Sequence, residues 1–159
     1  MKRSKNPRLT ARQLSNLVLR RLKRYEGLNG LEQFAMFMGK TQVLEFGLKG
    51  LLSRLYNYES EAMQRWTLGR TTSELKKSSL RADYIVLLES LVEYRNYIAH
   101  EYLANDAILR QLLGKKVGRL ERKHFEHGMY ELEQAMVLFD WCQEHDAWTG
   151  QRNQTLGQP

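Results

Sequence analysis

The sequence predicts an all-α fold, an up-down bundle of four to five helices. Apolar side chains recur at three- and four-residue spacing through most of the chain, and no strand-like alternation competes with that pattern. The two prolines, Pro7 and Pro159, lie near the ends, so nothing in the body removes a helical hydrogen bond. A hydrophobic fraction of 42% and a charged fraction of 27% over 159 residues fit one globular domain. The expected layout is a basic flexible arm over 1–9, a single helical domain over 10–145 and a mobile polar tail over 146–159.

A first amphipathic helix is expected from Thr10 to Tyr25, with Leu14, Leu17, Val18 and Leu22 on one face and basic residues on the other. Gly27, Asn29 and Gly30 should end it. From Leu31 to Tyr56 a longer stripe of Phe34, Phe37, Met38, Leu44, Leu48, Leu51, Leu52 and Leu55 predicts the central helix. Gly39, Gly47 and Gly50 interrupt its propensity, each by about 1 kcal/mol relative to alanine. Three such residues suggest close approach of a neighbouring helix or of a subunit partner, and a break at Gly39 is the alternative.

Between Asn57 and Ser79 the pattern weakens to a short helix and an irregular connection. It resumes from Leu80 to Leu103, with Ser79 or Asp83 as caps and with Tyr84, Leu87, Leu88, Leu91, Ile98 and Tyr102 in one stripe. A short turn of helix over Asp106 to Leu113, ended by Gly114, leads to a last helix from Arg119 to Glu144. Phe125, Met129, Leu132, Met136 and Phe139 form its core face.

The formal charge of +7 is concentrated: nine Lys or Arg residues fall between Lys2 and Arg24, and the first acidic residue is Glu26. Such an arm suits a polyanion, either a nucleic acid such as RNA or an acidic protein, with Lys2, Arg3, Lys5, Arg8 and Arg12 as the candidate contacts, and it equally suits a solubilising tail. No apolar run reaches the roughly 20 residues of a membrane span, and no signal-like segment opens the chain, so a cytoplasmic location without membrane attachment is expected. Cys142, the one cysteine, sits in an apolar stripe and reads as a small buried hydrophobe.

Along the fourth pattern, the positions that face the same way as Leu88 and Leu91 are Arg95, Ile98 and Tyr102, so a guanidinium interrupts an apolar stripe. An unpaired buried cation costs several kcal/mol, which requires a carboxylate partner, a cleft or an interface visited by an anion. Glu45 is the natural partner if Arg95 is paired inside the core. Asn96 and His100, four residues apart, share the adjoining face. The trio suits phosphodiester chemistry without a metal or other cofactor: Arg95 for phosphate oxygens, Asn96 for orientation and His100 for proton exchange. The bland alternative is an Arg–Glu core pair beside a satisfied histidine. His124 and His127 lie three apart, but no further ligand spacing completes a metal site.

The segment Arg95-Asn96-Tyr97-Ile98-Ala99-His100 resembles the R-x4-6-H signature of HEPN domains. With Glu101-Tyr102 it is similar to the R-x4-H-x-Y form of HEPN toxins paired with minimal nucleotidyltransferase antitoxins. The resemblance covers eight residues. It implies a metal-independent endoribonuclease, toxin- or defence-like, whose active site forms at a homodimer interface. Arg95 would bind phosphate, Asn96 would support it, and His100 would transfer a proton or position the 2′-hydroxyl. Tyr102 would be the residue that an antitoxin modifies with AMP. The alternative is a non-catalytic HEPN-type module that binds RNA, nucleotide or a partner protein.

Overall fold

The structure, a computed structural model, describes residues 8–102 and 118–149. Five α-helices make up an all-α bundle in this part of the chain, and no strand occurs among the described residues. They are α1 (Ala11–Leu22), α2 (Gly30–Tyr56), α3 (Leu68–Lys77), α4 (Ala82–Tyr97) and α5 (Gly118–Glu144). α5 packs against α1, α2 and α4, while α3 packs against α2 and α4.

Local chemistry sets most of the boundaries. Thr10 caps α1, its hydroxyl accepting from the Gln13 amide while the Gln13 side chain accepts from Thr10 N–H. Asn29 and Glu32 make the same reciprocal box at the start of α2. α2 then runs 27 residues without a break at Gly39 and ends where Asn57 turns left-handed at φ 58°, a conformation that asparagine tolerates. Gly47 is where a neighbour comes close: an added Cβ would lie 3.0 Å from the Phe139 ring, whereas Gly39 and Gly50 have nothing within 4 Å.

Several expectations are corrected. The first helix tightens into a 3₁₀ turn over Lys23–Tyr25 rather than continuing as α-helix. The 57–79 connection holds a 3₁₀ turn at Glu61–Met63 as well as α3. Neither Ser79 nor Asp83 is the cap of α4; Arg81 occupies that position without a side-chain cap. Residues 146–149 are no loose tail, because Trp148 is buried against Tyr84 and Phe139 and its carbonyl accepts from Arg81 N–H. The turn expected over Asp106–Leu113 lies outside the described residues.

One core joins the helices, with Val18, Phe37, Leu48, Leu75, Leu88, Leu91, Phe125 and Leu132 fully buried. Among the described residues, no helix is long and apolar enough to cross a membrane.

Candidate functional site

The last turns of α4 carry the Arg95–Tyr102 segment, and α5 fixes them in place. Leu88, Leu91, Ile98 and Tyr102 are buried, so the stripe lies where its periodicity placed it. Gly128 of α5 lies directly beneath it: a Cβ there would meet Ile98 Cδ1 at 2.8 Å and Tyr94 Cβ at 3.4 Å. Four residues beyond Ile98, the Tyr102 ring stacks on Phe125 with centroids 4.6 Å apart. Between these two anchors the helix widens into a π-helical turn, Ile98–Tyr102. Such turns are rare and concentrate at functional sites.

The widening bears on the spacing of the two reactive side chains. Arg95 and His100 are five residues apart, which a regular α-helix leaves about 140° apart around its axis. A turn with i→i+5 hydrogen bonding closes part of that angle.

Arg95 is half-buried near the end of α4, in line with the buried Leu88, Leu91 and Ile98. Its polar partner among the described residues is the neighbouring Asn96, whose Oδ1 accepts from Nη1 at 3.3 Å. The expected core pair with Glu45 is not formed. Glu45 accepts instead from Lys49, one turn along α2 at 2.7 Å, and Lys49 also donates to the Trp66 carbonyl. Asn96 and His100 are both exposed. Thus Asn96 braces Arg95 rather than orienting His100. Tyr102 is buried and serves as packing.

A further histidine stands beside the motif. His124 of α5 meets the Tyr97 ring edge-on at 4.3 Å and the Tyr94 ring at 4.7 Å. Its separation from Arg95 in sequence hid this neighbour, and its three-residue spacing from His127 suggested only a metal pair. Among the described residues no group of three or more His, Cys, Asp or Glu side chains is arranged to hold a metal ion.

About two turns along α5 from His124, Glu131 accepts from the Ser90 hydroxyl at 3.0 Å. Burial raises its carboxyl above the ordinary range, and the Ser90 bond and nearby His127 partly oppose the shift. On the other side of α5, Glu133 is fully buried and ties three elements together. It accepts from Tyr25 Oη at 2.9 Å, pairs with Lys40 of α2 and stands 3.9 Å from Arg21 of α1. Burial first, and then the Glu133 charge, push the Tyr25 phenol well up.

An open cavity of about 360 Å³ lies beside this cluster, lined by Leu22, Tyr25, Glu26, Gln33, Arg122, Glu126 and Met129. None of the motif residues lines it. Cys142 is buried, and burial raises its thiol to about 11 against the opposing Arg81 charge, so it is not a nucleophile at neutral pH. In the basic arm, Arg8 and Arg12 are exposed, while Lys2, Arg3 and Lys5 lie outside the described residues.

No family model, no curated protein and no solved structure matches this chain.

Proposed function

We propose that the chain is a metal-independent endoribonuclease of HEPN type, with a cleft completed by a second copy of the motif. One observation carries the reading: a half-buried guanidinium, braced by Asn96, lies near the end of α4 five residues before an exposed histidine in a π-helical turn. That arrangement leaves Arg95 donors available for the non-bridging oxygens of a phosphodiester.

In the proposed reaction the 2′-hydroxyl attacks phosphorus as a base takes its proton. The P–O5′ bond breaks as an acid protonates the leaving oxygen, which yields a 2′,3′-cyclic phosphate and a 5′-hydroxyl. The step needs one base and one acid. Each motif offers one His100, so two chains supply both. Arg95 stabilises charge that develops on the phosphoryl oxygens, and Asn96 keeps the guanidinium in place.

A toxin- or defence-like role with a nucleotidyltransferase partner belongs to the same reading. Modification of Tyr102 would then require the end of α4 to open, because its ring is buried against Phe125.

The test compares the purified protein with His100→Ala and Arg95→Ala on single-stranded RNA in EDTA. Cleavage by the wild type should fall by about 10²-fold or more in each variant, with the circular dichroism spectrum unchanged. Binding without cleavage by the wild type would replace the enzyme with an RNA-binding module. The basic arm is tested by salt: removing residues 1–8 should flatten the dependence of RNA affinity on ionic strength, and an unchanged slope would assign the arm to solubility.

A further inference from the structure

The exposed side of α2 does not look like a solvated helix face. Its exposed residues include Leu31, Ala35, Gly39, Val43, Phe46 and Gly50. Leu31, Val43 and Phe46 are open to 65, 61 and 80%. The two exposed charges, Glu32 and Arg54, stand at opposite ends, and the charged residues between them, Lys40, Glu45 and Lys49, are mostly buried and paired within the chain. α5 shows the ordinary alternative, since its exposed residues from Lys123 to Glu144 are all polar or charged. Apolar surface on this scale usually marks a contact.

We infer that this face is a self-association surface on which a second copy of the chain packs, α2 against α2 in antiparallel orientation. Shape and charge both select this arrangement. Around a two-fold axis near Gln42 and Val43, Phe46 of one copy falls opposite Gly39 of the other, and Ala35 falls opposite Gly50. An added Cβ at Gly39 or Gly50 would meet nothing within 4 Å in this chain, so both positions are open to a close neighbour. Packed helices approach to about 8–10 Å, and glycine opposite phenylalanine suits the short end of that range.

The same register brings Glu32 at one end beside Arg54 of the other copy, and the two-fold repeats the pair at the far end. A parallel pairing would set Glu32 against Glu32 and Arg54 against Arg54. The apolar middle would supply affinity, and the terminal charges would fix direction.

This surface is separate from the motif. Phe37 lies on the buried side of α2 and meets Phe125 at 5.8 Å, and Phe125 carries Tyr102 on its stack, so α2 itself stands between the proposed contact and the end of α4. The inference stands whether or not the motif cleaves RNA.

Sedimentation velocity of the full chain over a concentration series tests it. The wild type should dimerise, and Phe46→Glu should weaken the dimer by about tenfold or more with an unchanged thermal midpoint at low concentration. Gly39→Leu, whose side chain has room in the monomer, should do the same. Glu32→Arg should weaken association, and adding Arg54→Glu should restore it. Direction is read by mixing Ala35→Cys protein with Gly50→Cys protein under mild oxidation. The heterologous cross-link should form in preference to Ala35→Cys with itself, and buried Cys142 does not compete. A chain that stays monomeric, a dimer indifferent to Phe46→Glu and Gly39→Leu, or preferential self-cross-linking at position 35 would overturn the proposal. His100→Ala should leave association through α2 unchanged, so loss of the ribonuclease reading and loss of this one are separable.

Discussion

Arg95 shows what side-chain spacing reveals and what it leaves hidden. Helical periodicity placed it in line with Leu88, Leu91, Ile98 and Tyr102, and those four are buried while Arg95 is half-open. Its partner was not legible. Glu45 stood at the edge of the apolar stripe on α2, but α4 packs on α3 and α5 rather than on α2, and Lys49 follows Glu45 by one turn in a local i,i+4 pair. Asn96 at the next position met the guanidinium instead. Glu131 gives a prediction at this scale. Its carboxyl is raised by burial, so the folded state holds the proton more tightly than the unfolded one, and stability falls as pH rises through the interval between the two values. Glu131→Gln keeps an acceptor for Ser90 without the charge. Its thermal midpoint should exceed that of the wild type at neutral pH, and the gap should narrow as pH is lowered into the carboxylate range. Cys142 follows the same sign: stability should decline as pH climbs from about 9 toward about 11, and Cys142→Ala should remove that part of the decline.

At the scale of elements, periodicity made the helix bodies readable, whereas the side-chain caps were not foreseen and the two expected, Ser79 and Asp83, are not the cap of α4. Thr10, Asn29 and Thr67 each accept a backbone hydrogen bond at the first turn of a helix, and α2 and α5 span nearly the segments their apolar stripes predicted. The π-helical turn had no signature in the local periodicity, and the contacts of its two ends, Ile98 and Tyr102, are with a helix distant in sequence. Trp148 was equally invisible, because one aromatic residue in a polar tail has no period. Glycine was the misleading signal. Three glycines in α2 drew attention, yet among the described residues the tightest approach to a glycine is at Gly128 in α5. Gly128→Leu should destabilise the fold by about 1–3 kcal/mol through overpacking against Ile98 and Tyr94, measured by chemical denaturation. Gly50→Ala, with open space around it, should instead gain up to about 1 kcal/mol in the monomer.

Across the whole molecule, the bundle is held at one end by a buried carboxylate that sequence reasoning did not single out. Glu133 draws together Arg21, Tyr25 and Lys40, and its hydrogen-bond partners lie 108 and 93 residues away in the chain, beyond the reach of any local pattern. Glu133→Ala strands Lys40 and the Tyr25 hydroxyl and should cost about 3 kcal/mol, read as a drop in the denaturation midpoint. The same α5 that anchors this cluster also seats the π-helical turn, so the placement of the motif is a property of the bundle rather than of eight residues. The proposed action of the end of α4 on a phosphodiester rests on Arg95 and His100. It is tested most directly by following a labelled single-stranded RNA in EDTA with wild-type protein and with folded His100→Ala. The account predicts fragments ending in 2′,3′-cyclic phosphate from the wild type and about 10²-fold fewer from the variant; equal cleavage by both proteins would contradict it.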